Sequence, residues 1–363
     1  MLDCLVIGGG HSGLMCGHLL AQAGLVYRVV DASARAGDVW RMRPKHLRLF
    51  TSRWFCRLAD LAMEGDPNGF PSGQEFADHV ERFAMDKCIA ASYNTRVVRL
   101  SRAEGGFVAE LGNGETVRSV TVINATGSNQ VPTVPVFAQQ LNAAVVQISA
   151  PAFREAAELP LGWSIAVVGD GASGRQIARE LATGRRVYLA RGRVRKLVPN
   201  VVLGRDVFWW LDKIGLLFAG RDSVVAKIMR KRDPIPAASA NDTQLLAAGV
   251  LLKPRAIDAK GTRIFFSDGS NHAVNAVVWC GGYRENLDWI YLPLIKEPGS
   301  LVHGEGRTPE VGFYLVGRKW LTCRASELVL GTERDATKVV GYVTEQIQLA
   351  GQSANRKEGL AHA

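Results

Sequence analysis

Two glycine hexads in this chain could do chemistry, and they share one spacing. Gly8-Gly9-Gly10-His11-Ser12-Gly13 and Gly169-Asp170-Gly171-Ala172-Ser173-Gly174 both fit G-x-G-x-x-G. Each follows a short apolar run, residues 3–7 and 164–168, and each leads into apolar residues at helical spacing and then a second apolar run, residues 26–30 and 186–190. In such a unit the first glycine makes the tight turn, the second lets backbone approach a pyrophosphate, and the third lets helix and strand pack closely. The helix N-terminus presents free amides and the positive end of its dipole to phosphate. The second run of the first unit ends in Asp31, a carboxylate able to accept from a ribose hydroxyl. That of the second unit ends in Arg191, with Arg193, Arg195 and Lys196 nearby. An arginine there accommodates a 2′-phosphate that a carboxylate would repel. The two units together predict two dinucleotide sites.

Composition narrows the alternatives. The chain has 363 residues, of which 47% are apolar, room for two domains or one large one. No apolar stretch approaches the roughly 20 residues that span a bilayer, and the N-terminus runs straight into a strand, so neither a membrane span nor a signal peptide is expected. Cysteines 4, 16, 56, 88, 280 and 323 are scattered with no C-x-x-C, which argues against a redox dithiol or a zinc knuckle and for reduced thiols in the cytoplasm. The histidines at 11, 18, 46, 79, 272, 303 and 362 lack metal-ligand spacing, so no metal is expected. The formal charge is +10, but no nucleic-acid motif accompanies it. Anionic cofactors and substrates explain the excess as well.

Other elements must position the two units. Gly37-Asp38-Val39-Trp40 follows Asp31, and the Trp40 indole suits either core or the neighbourhood of a bound ring system. Residues 73–85 read as a helix, and 95–100, 107–111 and 116–118 alternate as a small antiparallel sheet. Buried strands at 120–124 and 276–279 end in Ala125-Thr126-Gly127 and Cys280-Gly281-Gly282-Tyr283, an echo between the units. Residues 204–219 read as an amphipathic helix whose Phe208, Trp209 and Trp210 could form core, a homodimer face or a substrate wall. The basic run 227–232 reads as a solvated face, 234–241 as loop, 336–349 as a closing helix, and 351 onward as a polar tail. The fold class is α/β, with two Rossmann-like dinucleotide-binding units.

With these residues in view, the chain resembles the flavin-containing monooxygenase superfamily over about residues 2–349, and is most similar to its small bacterial FAD-dependent members and to the plant indole-3-pyruvate monooxygenases. Gly37-x-x-Trp40 and Leu47-Arg48-Leu49-Phe50-Thr51 match the segment behind the flavin ring, Leu203 through Leu211 a stretch of the bacterial subgroup, Val278 through Tyr283 a strand ending in A-T-G-[FY], and Gly317 through Asp335 the C-terminal flavin contact. The resemblance implies FAD on the first unit and NADPH on the second, the NADPH domain (159–284) being inserted in a discontinuous FAD domain (1–158 and 285–350).

It also implies the residue roles. FAD falls to Gly8, Gly10, His11, Ser12, Gly13, Asp31 and Ala32, then Gly37, Val39, Trp40 and Arg48, then Thr126, Gly127, Gly317 and Asp335. NADPH falls to Gly169, Gly171, Ala172, Ser173, Gly174, Arg191, Gly281 and Gly282. Phe50, Thr51 and Ser149 stand where catalytic positions are expected. The implied reaction is reduction of the flavin by NADPH, formation of a flavin hydroperoxide with O2, and transfer of one oxygen atom to a soft nucleophile or a carbonyl; Trp40, Phe50, Trp54, Trp209 and Trp210 suit a small aromatic or lipophilic substrate. Three residues depart from the family pattern: Ser149 replaces a histidine at the domain junction, Gly281 replaces threonine, and Phe50 stands where some members have a polar side chain. An NADPH-dependent flavin reductase or oxidase without oxygen transfer, and a non-catalytic flavin-binding regulator, therefore stay open.

Overall fold

The computed structural model describes the chain except residues 194, 233, 237–239, 295, 298–299 and 362–363. Strand β1 (Leu2–Ile7), helix α1 (His11–Gln22) and strand β2 (Tyr27–Val30) form the first unit, β1 and β2 pairing in parallel. Helix α2 (Gly73–Asp86) is held at its start by a reciprocal capping box between Ser72 and Glu75. The hairpin β3 (Val97–Ala103) and β4 (Gly106–Leu111) leads into the long strand β5 (Thr116–Asn124).

β5 is shared between two regimes. Its first half pairs antiparallel with β4, its last three residues pair in parallel with a strand from near the C-terminus, Phe313–Leu315, and its other edge pairs with β1. The first sheet is thereby completed from both ends of the chain. Its core runs through Leu5, Val6, Val122, Ile123, Phe313 and Leu315, all at or near zero exposure.

Between these ends lies a second sheet, wholly parallel. Strand β6 (Val146–Ser149) joins it ahead of the 158/159 boundary drawn from the sequence, pairing with Ala276–Trp279. Strand β7 (Ser164–Val168), helix α3 (Ala172–Leu181) and strand β8 (Arg186–Ala190) repeat the first unit. The two chain crossings between the sheets pair with each other, Tyr283 with Pro132 and Arg284 with Val131.

An excursion from the second unit reaches across to the first. The expected helix over 204–219 is instead a hairpin, Val201–Val202 with Arg205–Asp206, followed by the short helix α4 (Val207–Lys213). Leu203 and Gly204 turn it with φ of +48° and +72°, a conformation that no helix admits. The excursion docks by backbone bonds from Ala325 to Leu217 and from Arg221 to Thr322. The basic run lies in helix α5 (Val224–Arg232); of the expected 234–241 loop, residues 237–239 lie outside the described residues, and Ile235–Pro236 is instead a short strand paired in parallel with Leu197–Val198. The closing helix α6 (Thr332–Ala361) continues through the residues expected to form a polar tail.

Candidate functional site

Both glycine loops open onto one cleft of about 1630 Å³. Their backbones repeat each other closely. Gly8 and Gly169 both have φ of +111°, and a Cβ on either would fall on the carbonyl of the next strand's end, Ala125 at 2.6 Å or Cys280 at 2.3 Å. A Cβ on Gly13 would lie 1.8 Å from the Gly8 carbonyl oxygen, and one on Gly174 would lie 1.9 Å from that of Gly169. Gly10 differs: nothing lies within 4 Å of its would-be Cβ, and at Gly171 only the tip of Arg195 does, at 3.7 Å. The empty space lies where a pyrophosphate would pass. Neither α1 nor α3 has a side-chain cap, and neither has an acid in its first turn, so their leading amides remain available to an anion. These cradles fit two dinucleotides.

The strand ends differ. Asp31 accepts the amides of Gly9 and Ser33, which fixes its carboxylate beside the first loop. Arg191 in the second unit is half-exposed, lines the cleft and pairs with Asp242 at 3.3 Å. Arg193 and Arg195 also line that end of the cleft.

Most residues singled out in the sequence meet at the cleft wall, among them Gly8, Gly10, His11, Ser12, Asp31, Ala32, Gly37, Val39, Trp40, Arg48, Phe50 and Thr51. So do Thr126, Gly127, Gly169, Gly171, Ala172, Ser173, Gly174, Arg191, Gly281, Gly282 and Gly317. Trp40 has both of its expected surroundings: it stacks edge-on against Phe76 at 4.9 Å and lines the cleft, with its Nε1 unpartnered. His11 packs against the same two rings, and burial lowers its pKa to about 4, so it adds no positive charge at neutral pH. Thr51 is almost wholly buried with its hydroxyl 3.4 Å from Cys56 Sγ.

Three of the selected residues stand off the wall. Gly13 acts from behind it, through its contact with Gly8. Ser149 ends β6 opposite Trp279, and its carbonyl takes the amides of Ala152 and Phe153, while the next two residues, Ala150 and Pro151, reach the cleft. Asp335 is buried in α6, where it accepts the Thr322 hydroxyl and leaves its other oxygen unpartnered. The aromatic stretch also backs the wall: Phe208 is buried in a cluster with Phe55, Leu217, Cys323 and Ala325, against which Phe50 packs. The departure at Gly281 has a steric cause, because a Cβ there would lie 2.6 Å from the Thr133 carbonyl oxygen of the other crossing.

Further residues escaped the sequence reading. Asp206 accepts the amide of Ser52 at 2.7 Å and caps α4 through Phe208 at 2.9 Å, so an acid from the excursion holds the loop that carries Phe50 and Thr51. Its place just before an apolar run is an N-cap signature that could have found it. Glu285 and Arg318 form a buried pair at 2.9 Å that ties the returning crossing to the residue after Gly317. No local signal marks that pair.

Comparison with known proteins agrees with this geometry. A family model described as pyridine nucleotide-disulphide oxidoreductase matches residues 5–197. An uncharacterized CzcO-like oxidoreductase of Geobacillus kaustophilus is 36% identical over 94% of this chain and 98% of its own. Indole-3-pyruvate monooxygenase YUCCA1 of Oryza sativa subsp. japonica is 26% identical over 92% of this chain and 89% of its own. The structure of a flavin-containing monooxygenase from Stenotrophomonas maltophilia superposes with a TM-score of 0.78 at 25% identity, covering 95% of this chain and 98% of that one.

Proposed function

This chain belongs to the pyridine nucleotide-disulphide oxidoreductase family and, within it, to the flavin-containing monooxygenase superfamily; from that premise we propose that it uses NADPH and O2 to place one oxygen atom on a small aromatic or lipophilic compound. It is an oxidoreductase that binds FAD and NADP(H). The observation that carries the reading is the repeated empty cradle at Gly10 and Gly171, with both uncapped helices opening on one cleft. FAD held on the first cradle would supply the redox chemistry, that is, hydride acceptance from NADPH and activation of O2 for oxygen transfer.

The chain's own residues orient and enclose. In this reading α1 and Asp31 hold the FAD pyrophosphate and ribose, while α3 and Arg191 hold those of NADPH. In the same reading the FAD-binding unit takes residues 1–158 and 285–350 apart from strand β6, which pairs in the second sheet, and the NADPH-binding unit lies between them. Phe50, Leu328 and Val329 give the cleft an apolar flank that excludes water and suits an apolar substrate. Of the five aromatic residues that suit such a substrate, Trp40 and Phe50 line the cleft, whereas Trp54, Trp209 and Trp210 do not. The disulphide-reducing branch of the family is disfavoured, because Cys280 is the one cysteine among the described cleft residues. The six cysteines are free thiols, in keeping with a cytoplasmic location.

A second reading, NADPH oxidation without oxygen transfer, is favoured by Ser149, a short side chain off the cleft at the family's histidine position. Purified protein given NADPH, ¹⁸O2 and a panel of aromatic and lipophilic metabolites separates the two. One labelled oxygen in a product supports the monooxygenase. Hydrogen peroxide in full yield with no labelled product across the panel overturns it for the oxidase.

A further inference from the structure

The long excursion leaves the second unit at Arg191 and returns at Asp242, and there its two ends meet. Arg191 Nη1 lies 3.3 Å from Asp242 Oδ2, and Arg175 Nη1 lies 2.8 Å from Asp242 Oδ1. Arg175 is buried, and its guanidinium is also held by the carbonyl oxygens of Asp170 and Ala240. One oxygen of Asp242 is therefore fixed by a cation locked into the fold. The other faces Arg191, whose side chain is 42% exposed and lines the cleft. The arginine placed to take a 2′-phosphate already has a carboxylate beside it.

We propose that Asp242 is a specificity-determining residue of the second nucleotide site, one that narrows the discrimination between NADPH and NADH. The inference rests on the reading that the second unit binds NADPH through Arg191. Arg175, 2.8 Å from Asp242 Oδ1, holds the carboxylate beside Arg191. A phosphate dianion seated on Arg191 must then share that guanidinium with a carboxylate on the order of 6 Å away, and at a half-exposed site this repulsion weakens binding by roughly five- to tenfold. The 2′-hydroxyl of NADH meets no such repulsion and can donate to a carboxylate. The site thus carries a cation that favours NADPH and an anchored anion that limits the preference.

The test is equilibrium binding of NADP+ and NAD+ to the FAD-loaded protein, by calorimetry, at low and high salt. Asp242→Asn keeps an oxygen for Arg175 and removes the charge. It is expected to bind NADP+ about five- to tenfold more tightly than wild type at low salt, with less gain at high salt, and NAD+ within about twofold of wild type or more weakly. Asp242→Ser serves the same purpose should the asparagine variant fail to fold. Unchanged or weaker NADP+ binding in the folded variant overturns the proposal. Arg191→Ala in the same assay separates the premises. If it abolishes a wild-type preference for NADP+ while the Asp242 variants are neutral, the role of Asp242 falls alone. If wild type shows no preference and Arg191→Ala changes neither affinity, the NADPH reading falls and takes this proposal with it.

Discussion

The carboxylate of Asp170 accepts the amide of Gly192 at 3.0 Å, the mirror of the first unit, where Asp31 accepts the amide of Gly9 at 2.5 Å. Both bonds tie a glycine loop to the end of the neighbouring strand. In the first unit the acid stands at the strand end, and in the second it stands inside the loop. Moving it leaves the strand-end position free for Arg191 without losing the tie.

Arg191→Ala is accordingly expected to erode a preference for NADPH over NADH. A charge-assisted bond to phosphate contributes about 1.5–3 kcal/mol, and competition from Asp242 places the loss at the lower end, about tenfold in the ratio of specificity constants. The change should fall chiefly on the Michaelis constant for NADPH. Steady-state NADPH and NADH oxidation measures it, and an unchanged ratio in the variant would contradict the role given to Arg191.

Two glycines of one loop should fail in different ways. The Cβ of Gly10→Val has no protein atom within 4 Å, so the variant is expected to fold and to be colourless, its side chain filling the FAD cradle. Gly13→Ala drives a carbon into the Gly8 carbonyl and should cost more than the roughly 1–3 kcal/mol of ordinary overpacking. Flavin absorbance and urea denaturation of both proteins distinguish the two. A yellow Gly10→Val protein with full flavin content would remove FAD from this loop.

Asp206→Ala leaves the Ser52 and Phe208 amides without their acceptor. The expected loss is about 1–3 kcal/mol of stability, with flavin content retained because Asp206 lies off the cleft wall. Loosening the loop that carries Phe50 and Thr51 should raise the share of NADPH lost as peroxide. Peroxide yield per NADPH, compared with wild type, checks this, and an unchanged yield would confine Asp206 to a capping role.

Burial raises the Asp335 carboxyl to about 6, with the Thr322 hydroxyl opposing the shift. The folded state therefore binds this proton more tightly than the unfolded state does. The resulting cost to stability is absent below about pH 4, grows as pH rises to about 6 and is constant above it. Asp335→Asn keeps an acceptor for Thr322 and should stabilise the holoenzyme by up to roughly 2–3 kcal/mol near pH 7.5, with no gain near pH 4. Urea midpoints at both pH values test the sign. A gain of equal size at both would show that the asparagine acts by packing rather than by charge. Full flavin content in the variant would agree with the place of Asp335 behind the wall.

Both nucleotide units were legible because their ligands constrain backbone, and backbone constraints of that kind leave glycines at fixed spacing. Gly8, Gly13, Gly169 and Gly174 carry that record in any context. The excursion was not legible. Residues 204–219 have the apolar spacing of a helix, but contacts with Ser52 and Ala325 decide their path, and these lie far away in the chain. Strand β6 falls on the first-domain side of the boundary drawn from the sequence for the same reason, since its pairing partner, Ala276–Trp279, is remote in sequence. Asp242 belongs to no motif, and Asp335 was assigned by resemblance to a wall that it only supports. Side chains that act through charge at a distance leave no period to read.

The sharing of β5 between early and late strands sets an order of assembly on the ribosome. β5 and its partners β1 and β4 are made long before Phe313–Leu315, so the last residues of β5 wait as an unpaired edge. All five strands of the second sheet lie in the interval between them, and that sheet can close while the first is still open. The nascent chain thus completes its inner unit first and its outer unit last. The FAD loop, although made well before it, gains its finished floor only when the strand Phe313–Leu315 arrives.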